Sequence, residues 1–176
     1  MQTDQIIYLI DGSGYIYRAY HAIRGLTNSK GMPTNAVFGF TRMLMKLMED
    51  RSPTHMVMCL DAKGPTFRHQ LFDDYKANRP PMPEDLVVQL PYIKQVIQGF
   101  NLPMVEMPGF EADDLIGTLA GYWQARGHPI CVVTADKDLA QLVGNGPYKV
   151  VANLPYYITS AVLRRFLSRM PRPRLM

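Results

Sequence analysis

Three short apolar runs in this 176-residue chain each lead to an aspartate, and that repeated pattern restricts the fold more than any other feature. Ile6-Ile7-Tyr8-Leu9-Ile10 runs into Asp11, Met56-Val57-Met58-Cys59-Leu60 into Asp61, and Ile130-Cys131-Val132-Val133 through Thr134 and Ala135 into Asp136. Each run has the length of a strand and is apolar throughout. Such strands, separated by stretches of helical periodicity, predict an α/β fold with a parallel central sheet and helices on both faces. All carboxyl ends of a parallel sheet share one edge, where ligands bind, so Asp11, Asp61 and Asp136 are expected to approach one another there.

A second acidic feature is expected at the same edge. Gly109-Phe110-Glu111-Ala112-Asp113-Asp114-Leu115-Ile116-Gly117 places three carboxylates within four residues at the start of a helix. Leu115, Ile116, Leu119 and Trp123 continue it at helical spacing, and Gly127 with Pro129 stops it. Alone, the cluster fits helix capping and a solvated face as well as it fits a metal site. Together with Asp11, Asp61, Asp136 and Asp138 it favours a hard divalent cation with oxygen ligands, because so many neighbouring carboxylates are costly without a counter-charge. Zinc held by histidines is not indicated, since none of the four histidines shows ligand spacing.

Between these acids the periodicity supplies the crossovers. Residues 15–22 begin a helix with Ser13 as its expected cap, which places Arg18 and His21 near the acidic edge, although an exposed Arg and a packed His fit the same spacing equally well. Residues 25–33 are turn-rich, and Val37, Phe40, Leu44 and Leu47 mark an amphipathic helix whose Met43, Met45 and Met48 read as core filler. From Lys63 to Pro83 cations alternate with aromatics, among them Arg68, Phe72, Tyr75, Lys76 and Arg79, a composition suited to phosphates and unpaired bases. Leu86, Leu90, Ile93 and Ile97 form the stripe of one further helix, in which Pro91 is expected to make a kink. Leu102–Glu106 reads as a short strand, and Leu139–Val143 as a turn or two of helix.

With 47% hydrophobic residues the chain can bury one sizeable core. Cys59 and Cys131 lie inside apolar runs and read as reduced core residues; neither a basic leader nor a long apolar span is present, so a cytoplasmic protein without a membrane segment is expected. The net charge of +4 arises from the tail: residues 148–176 carry six basic residues and no acid, against 13 basic and 15 acidic residues in 1–147.

Taken together, Asp11-Gly12-Ser13 with Tyr17-Arg18-Ala19-Tyr20-His21-Ala22, Asp61-Ala62-Lys63-Gly64-Pro65-Thr66-Phe67-Arg68, Tyr75-Lys76-Ala77-Asn78-Arg79-Pro80, Glu111-Ala112-Asp113-Asp114 and Thr134-Ala135-Asp136-Lys137-Asp138 resemble the 5′-3′ exonuclease domain of bacterial DNA polymerase I, in the flap endonuclease family with its PIN-like fold. The resemblance covers about residues 6–143. It implies a structure-specific nuclease of DNA replication and repair, working on DNA with 5′ ends or flaps as a monomer, with two Mg2+ or Mn2+ ions. By match to the motifs, Asp11, Asp61, Glu111, Asp113 and Asp114 belong to the first metal and Asp136 and Asp138 to the second. Lys76 and Arg79 then neutralise the scissile phosphate, Tyr75 stacks, and Arg18 and Arg68 contact further phosphates.

The resemblance ends near Gly144–Pro147. The family continues with a Gly-Asp-Ser-Ser-Asp-Asn-Ile-Pro-Gly-like segment and a helix-hairpin-helix unit, whereas here Asn153-Leu154-Pro155-Tyr156 resembles the adenine-side motif of ribosomal RNA adenine dimethyltransferases. The expectation is a truncated metal-binding domain over 1–147 with a fused or out-of-frame basic tail over 148–176, an incomplete second metal site and impaired activity. The alternatives are a catalytically inactive nucleic-acid-binding remnant and, less favoured for want of a glycine-rich S-adenosylmethionine loop, a methyltransferase fragment. A phosphatase with Asp11 as nucleophile fits the Lys63–Pro83 segment less well than a polymer substrate does.

Overall fold

The computed structural model of the chain describes residues 6–72 and 74–142. The elements are β1 (Ile7–Asp11), α1 (Gly12–Ala22), α2 (Asn35–Arg51), β2 (His55–Leu60), α3 (Phe67–Leu71), α4 (Glu84–Val87), α5 (Leu90–Gly99), β3 (Met104–Glu106), α6 (Ala112–Gln124), β4 (Ile130–Val133) and a 3-10 segment (Lys137–Leu142). Four strands pair in the order β3-β2-β1-β4, all parallel, so β1 runs through the interior of the sheet and the expected α/β architecture is observed. The residues of the basic tail lie outside the described part of the chain.

Strand alternation divides the core in two. Tyr8 and Ile10 of β1, with Met56 and Met58 of β2, pack against α1, α2 and α5, where Phe40, Leu44 and Ile93 are fully buried. Ile7 and Leu9 point the opposite way, onto Leu115, Ile116 and Ala120 of α6. Burial of each such large side chain contributes roughly 1.5–3 kcal/mol, which is what fixes the strand register. Asp11, two residues beyond Leu9, therefore faces the side of the sheet that α6 covers.

The β1-to-α1 turn demands glycine. A Cβ on Gly12 would lie 2.9 Å from the Cys59 carbonyl and 2.6 Å from Leu60, so only the bare backbone lets α1 start against β2. The expected cap, Ser13, is not the one used: Asp11 itself caps α1, accepting from the Gly14 N–H at 2.8 Å, because it is Asp11 that stands at the N-cap position. Pro91 does not kink a continuous helix. The chain breaks between α4 and α5, and Pro91 occupies the first turn of α5, where its missing N–H costs nothing. Of the three methionines expected in the core of α2, Met43 and Met48 pack against it while Met45 is exposed.

That break carries a buried polar junction. Gln89 is fully buried; its Oε1 accepts from the N–H groups of Ala36 (2.8 Å) and Val37 (3.2 Å) at the start of α2, and its Nε2 donates to the Asn35 side chain (3.0 Å) and the Asp85 carbonyl (2.7 Å). Asn35 in turn donates to the carbonyls of Tyr20 and Ile23 at the end of α1. One pair of amide side chains thus satisfies backbone groups from three helices.

Among the described residues no helix is long and apolar enough to cross a membrane.

Candidate metal centre and nucleic-acid interface

The carboxyl edge gathers the expected acids from three directions. Asp11 ends β1, Asp61 follows β2 and Asp136 follows β4, while α6 begins beside them. Asp11 is buried, and besides capping α1 it accepts from the Thr134 hydroxyl at 2.9 Å. The same hydroxyl oxygen accepts from the Asp136 N–H at 2.9 Å, so Thr134 links two of the acids. Asp61 is held from both sides: its N–H donates to Ser13 Oγ at 2.9 Å, and its carboxylate accepts from the Ala112 N–H at 2.7 Å, the first amide of α6. Sequence reasoning had no roles for Ser13 or Thr134 as braces; the signal available was only their adjacency to Asp11 and Asp136.

Electrostatics mark the centre of the group as Asp113. Its carboxyl is pushed up to about 6, chiefly by burial and then by the negative charges of Asp11, Asp136, Asp61 and Glu111. Asp11 is likewise raised by burial, against the pull of its two hydrogen bonds. Asp138 sits exposed in the 3-10 segment, its N–H bonded to the Asp136 carboxylate at 2.8 Å.

The other two acids of the α6 start are committed elsewhere. Glu111 is the N-cap and forms a reciprocal capping box with Asp114. Asp114, expected among the first-metal residues, receives both terminal nitrogens of Arg68 at 2.7 and 2.6 Å, which holds its carboxyl below the usual range. The Arg68 guanidinium, expected at a phosphate, thus lies in a bidentate ion pair. Glu111 accepts from Lys76 Nζ at 2.7 Å and from the Tyr75 hydroxyl at 3.1 Å. Lys76 reaches it from a left-handed backbone (φ 58°), a conformation that costs a non-glycine residue roughly 1 kcal/mol or more. Arg79 is exposed in the turn that follows, and Arg18 is half-buried on α1.

The residues present suit a hard divalent ion. The acids around Asp113 offer only oxygen donors, and Lys76 and Arg68 are already paired with Glu111 and Asp114. Among the described residues no three His, Cys, Asp or Glu side chains converge closely enough to hold an ion unaided, so an ion at this edge would draw the rest of its shell from water, as is common for Mg2+.

A parallel α/β domain with an acidic carboxyl edge beneath a cationic, aromatic overhang is the class these observations define. Residues 6–166 match the 5′-3′ exonuclease, N-terminal resolvase-like domain family, and the chain belongs to that family. Over 137 residues it is 42% identical to a 5′-3′ exonuclease of Aquifex aeolicus, covering 78% of this chain and 47% of that protein. A DNA polymerase I of Pseudomonas aeruginosa is 49% identical over 135 residues, 77% of this chain and 15% of the polymerase. The chain therefore spans about half, or far less, of the relatives it matches. A structure of T5 5′-exonuclease with bound zinc shares the fold, with a TM-score of 0.59 at 19% identity over 79% of this chain and 52% of the T5 chain.

Proposed function

We propose that this chain is the metal-binding part of a structure-specific 5′-3′ exonuclease or flap endonuclease that hydrolyses DNA phosphodiesters with Mg2+ or Mn2+. The observation that carries the reading is the gathering of Asp11, Asp61 and Asp136 at the start of α6, tied together through Thr134, Ser13 and the Ala112 N–H, beside a segment whose Lys76 and Tyr75 reach Glu111. Asp11, Asp61, Asp113 and Asp136 hold the ions, with Asp138 toward the second site. When bound, divalent ions lower the pKa of water and stabilise the leaving oxygen.

The chain's own residues position the substrate. Lys76 spends one of its three donors on Glu111 and has two left for a phosphate oxygen. Arg79, exposed beside it, adds a second cation, and Tyr75 offers a face to an unpaired base. Thr134 keeps the Asp11 carboxylate fixed while charge develops nearby. On this reading the protein works in the cytoplasm as a monomer with DNA as its partner, and the sequence of residues 148–176 is a fused or out-of-frame addition to the nuclease part.

A second reading, a nucleic-acid-binding remnant without catalysis, draws on the lack of three converging ligands among the described residues. Cleavage of a 5′-labelled flap DNA in Mg2+ or Mn2+ separates the two. Cutting that is lost in chelator and in Asp113→Ala supports the nuclease; binding without cutting in either metal supports the remnant.

A further inference from the structure

Arg68 lies at the junction of the overhang and the acidic helix, and its contacts differ from those of a phosphate-binding arginine. Both terminal nitrogens meet the two oxygens of Asp114, at 2.7 and 2.6 Å, and the guanidinium stacks 4.6 Å from the Phe67 ring centroid. Asp114 also accepts from the Glu111 N–H at 2.9 Å, and Arg68 approaches the Glu111 carboxylate at 3.8 Å. The Glu111 side chain, 10% exposed, then holds Lys76 and Tyr75. Charges alternate along this row: Asp114, Arg68, Glu111, Lys76. For Arg68 to turn toward a phosphate it would have to abandon the half-buried Asp114 carboxylate and give up two charge-assisted hydrogen bonds already made.

We infer that Arg68 is a positioning residue: its fork on Asp114 fixes the start of α6, so that Glu111 presents Lys76 and Tyr75 over the acidic edge. The inference rests on the nuclease reading for its kinetic consequence, but the fixing of residues 75–79 is a property of the protein alone. Geometry, not charge, does this work. Lysine at position 68 keeps the charge and loses the fork.

The test uses Arg68→Lys and Asp114→Asn in the full chain, with three readouts: single-turnover cleavage of flap DNA in Mg2+, anisotropy of the same DNA in Ca2+ across a salt series, and amide hydrogen exchange at residues 75–79. Both variants are expected to lose about 10- to 100-fold in cleavage rate. Binding and its salt dependence stay within about twofold of the original chain, and exchange at 75–79 quickens. Asp114→Asn is decisive where Arg68→Lys folds poorly, since it frees the Arg68 charge. Tighter DNA binding with undiminished cleavage in that variant makes Arg68 a phosphate contact and overturns the inference. Unchanged exchange at 75–79 in both variants overturns it as well. Should the original chain neither bind nor cut flap DNA, the nuclease reading fails by itself, and the exchange result alone decides the role of Arg68.

Discussion

Replacing Asp113 by asparagine should stabilise the metal-free protein while abolishing the proposed metal-dependent cleavage. Burial and four neighbouring carboxylates raise the Asp113 carboxyl from its ordinary 3.8 to about 6, so at pH 8 the folded chain carries a charge that the unfolded chain carries more comfortably. At about 1.4 kcal/mol per tenfold, the difference amounts to roughly 3 kcal/mol. Asp113 is only half-buried, and solvent screening reduces this to about 1–2 kcal/mol. The Asp113→Asn substitution removes the charge at nearly constant volume, so in chelator at pH 8 the variant should melt a few degrees higher.

The sign with pH follows from linkage. A raised carboxyl binds its proton in the folded state first, so the penalty is fully present above about pH 6, shrinks as pH falls through 6, and is gone below 3.8. The two melting curves should converge toward pH 4. Adding Mg2+ should reverse their order at pH 8, because the ion stabilises only the chain that binds it. Thermal unfolding by circular dichroism, in chelator and in Mg2+, measures all of this. A variant no more stable than the original in chelator at pH 8, or a gap that persists undiminished to pH 4, would show that the acids do not repel one another across a common site.

Three further outcomes are expected. Thr134→Val removes the hydroxyl that bonds Asp11 and accepts from Asp136, and should weaken divalent-ion binding by about 10- to 100-fold in calorimetric titration with little change in fold. Gln89→Leu leaves the amides of Ala36 and Val37, the Asn35 side chain and the Asp85 carbonyl without their partner, and should cost about 2–4 kcal/mol in a denaturant titration. Gly14→Ala would set a Cβ 2.2 Å from the Asp11 carboxylate; metal affinity should fall as Asp11 is displaced, by more than stability does, in paired titration and unfolding experiments.

Much of the architecture was legible because its signals are local. An apolar run of five residues declares a doubly covered strand, and an aspartate at its end declares which edge the acid occupies. The parallel order and the helices on both faces follow from that alternation, and the structure shows them. Helix punctuation was less legible. Ser13 and Asp11 are both good caps, and the choice between them depends on where β1 releases the chain. Pro91 suits a kink and a first turn equally well; the buried Gln89 junction selects the latter by tying the α4–α5 break to the start of α2.

By itself the sequence determined the sheet, its acidic edge, and the cationic overhang between Lys63 and Pro83, since each is written in residues close together along the chain. Only the tertiary structure decided how the charges are shared. Arg68 and Asp114 stand 46 residues apart, yet both guanidinium nitrogens meet the carboxylate, so an acid and a cation that the sequence assigned to different partners face each other. Periodicity carries no information about such a pairing, because an ion pair depends on distances of a few ångströms that are set by how α3 and α6 pack, and a shift of one side chain changes which acid meets which cation.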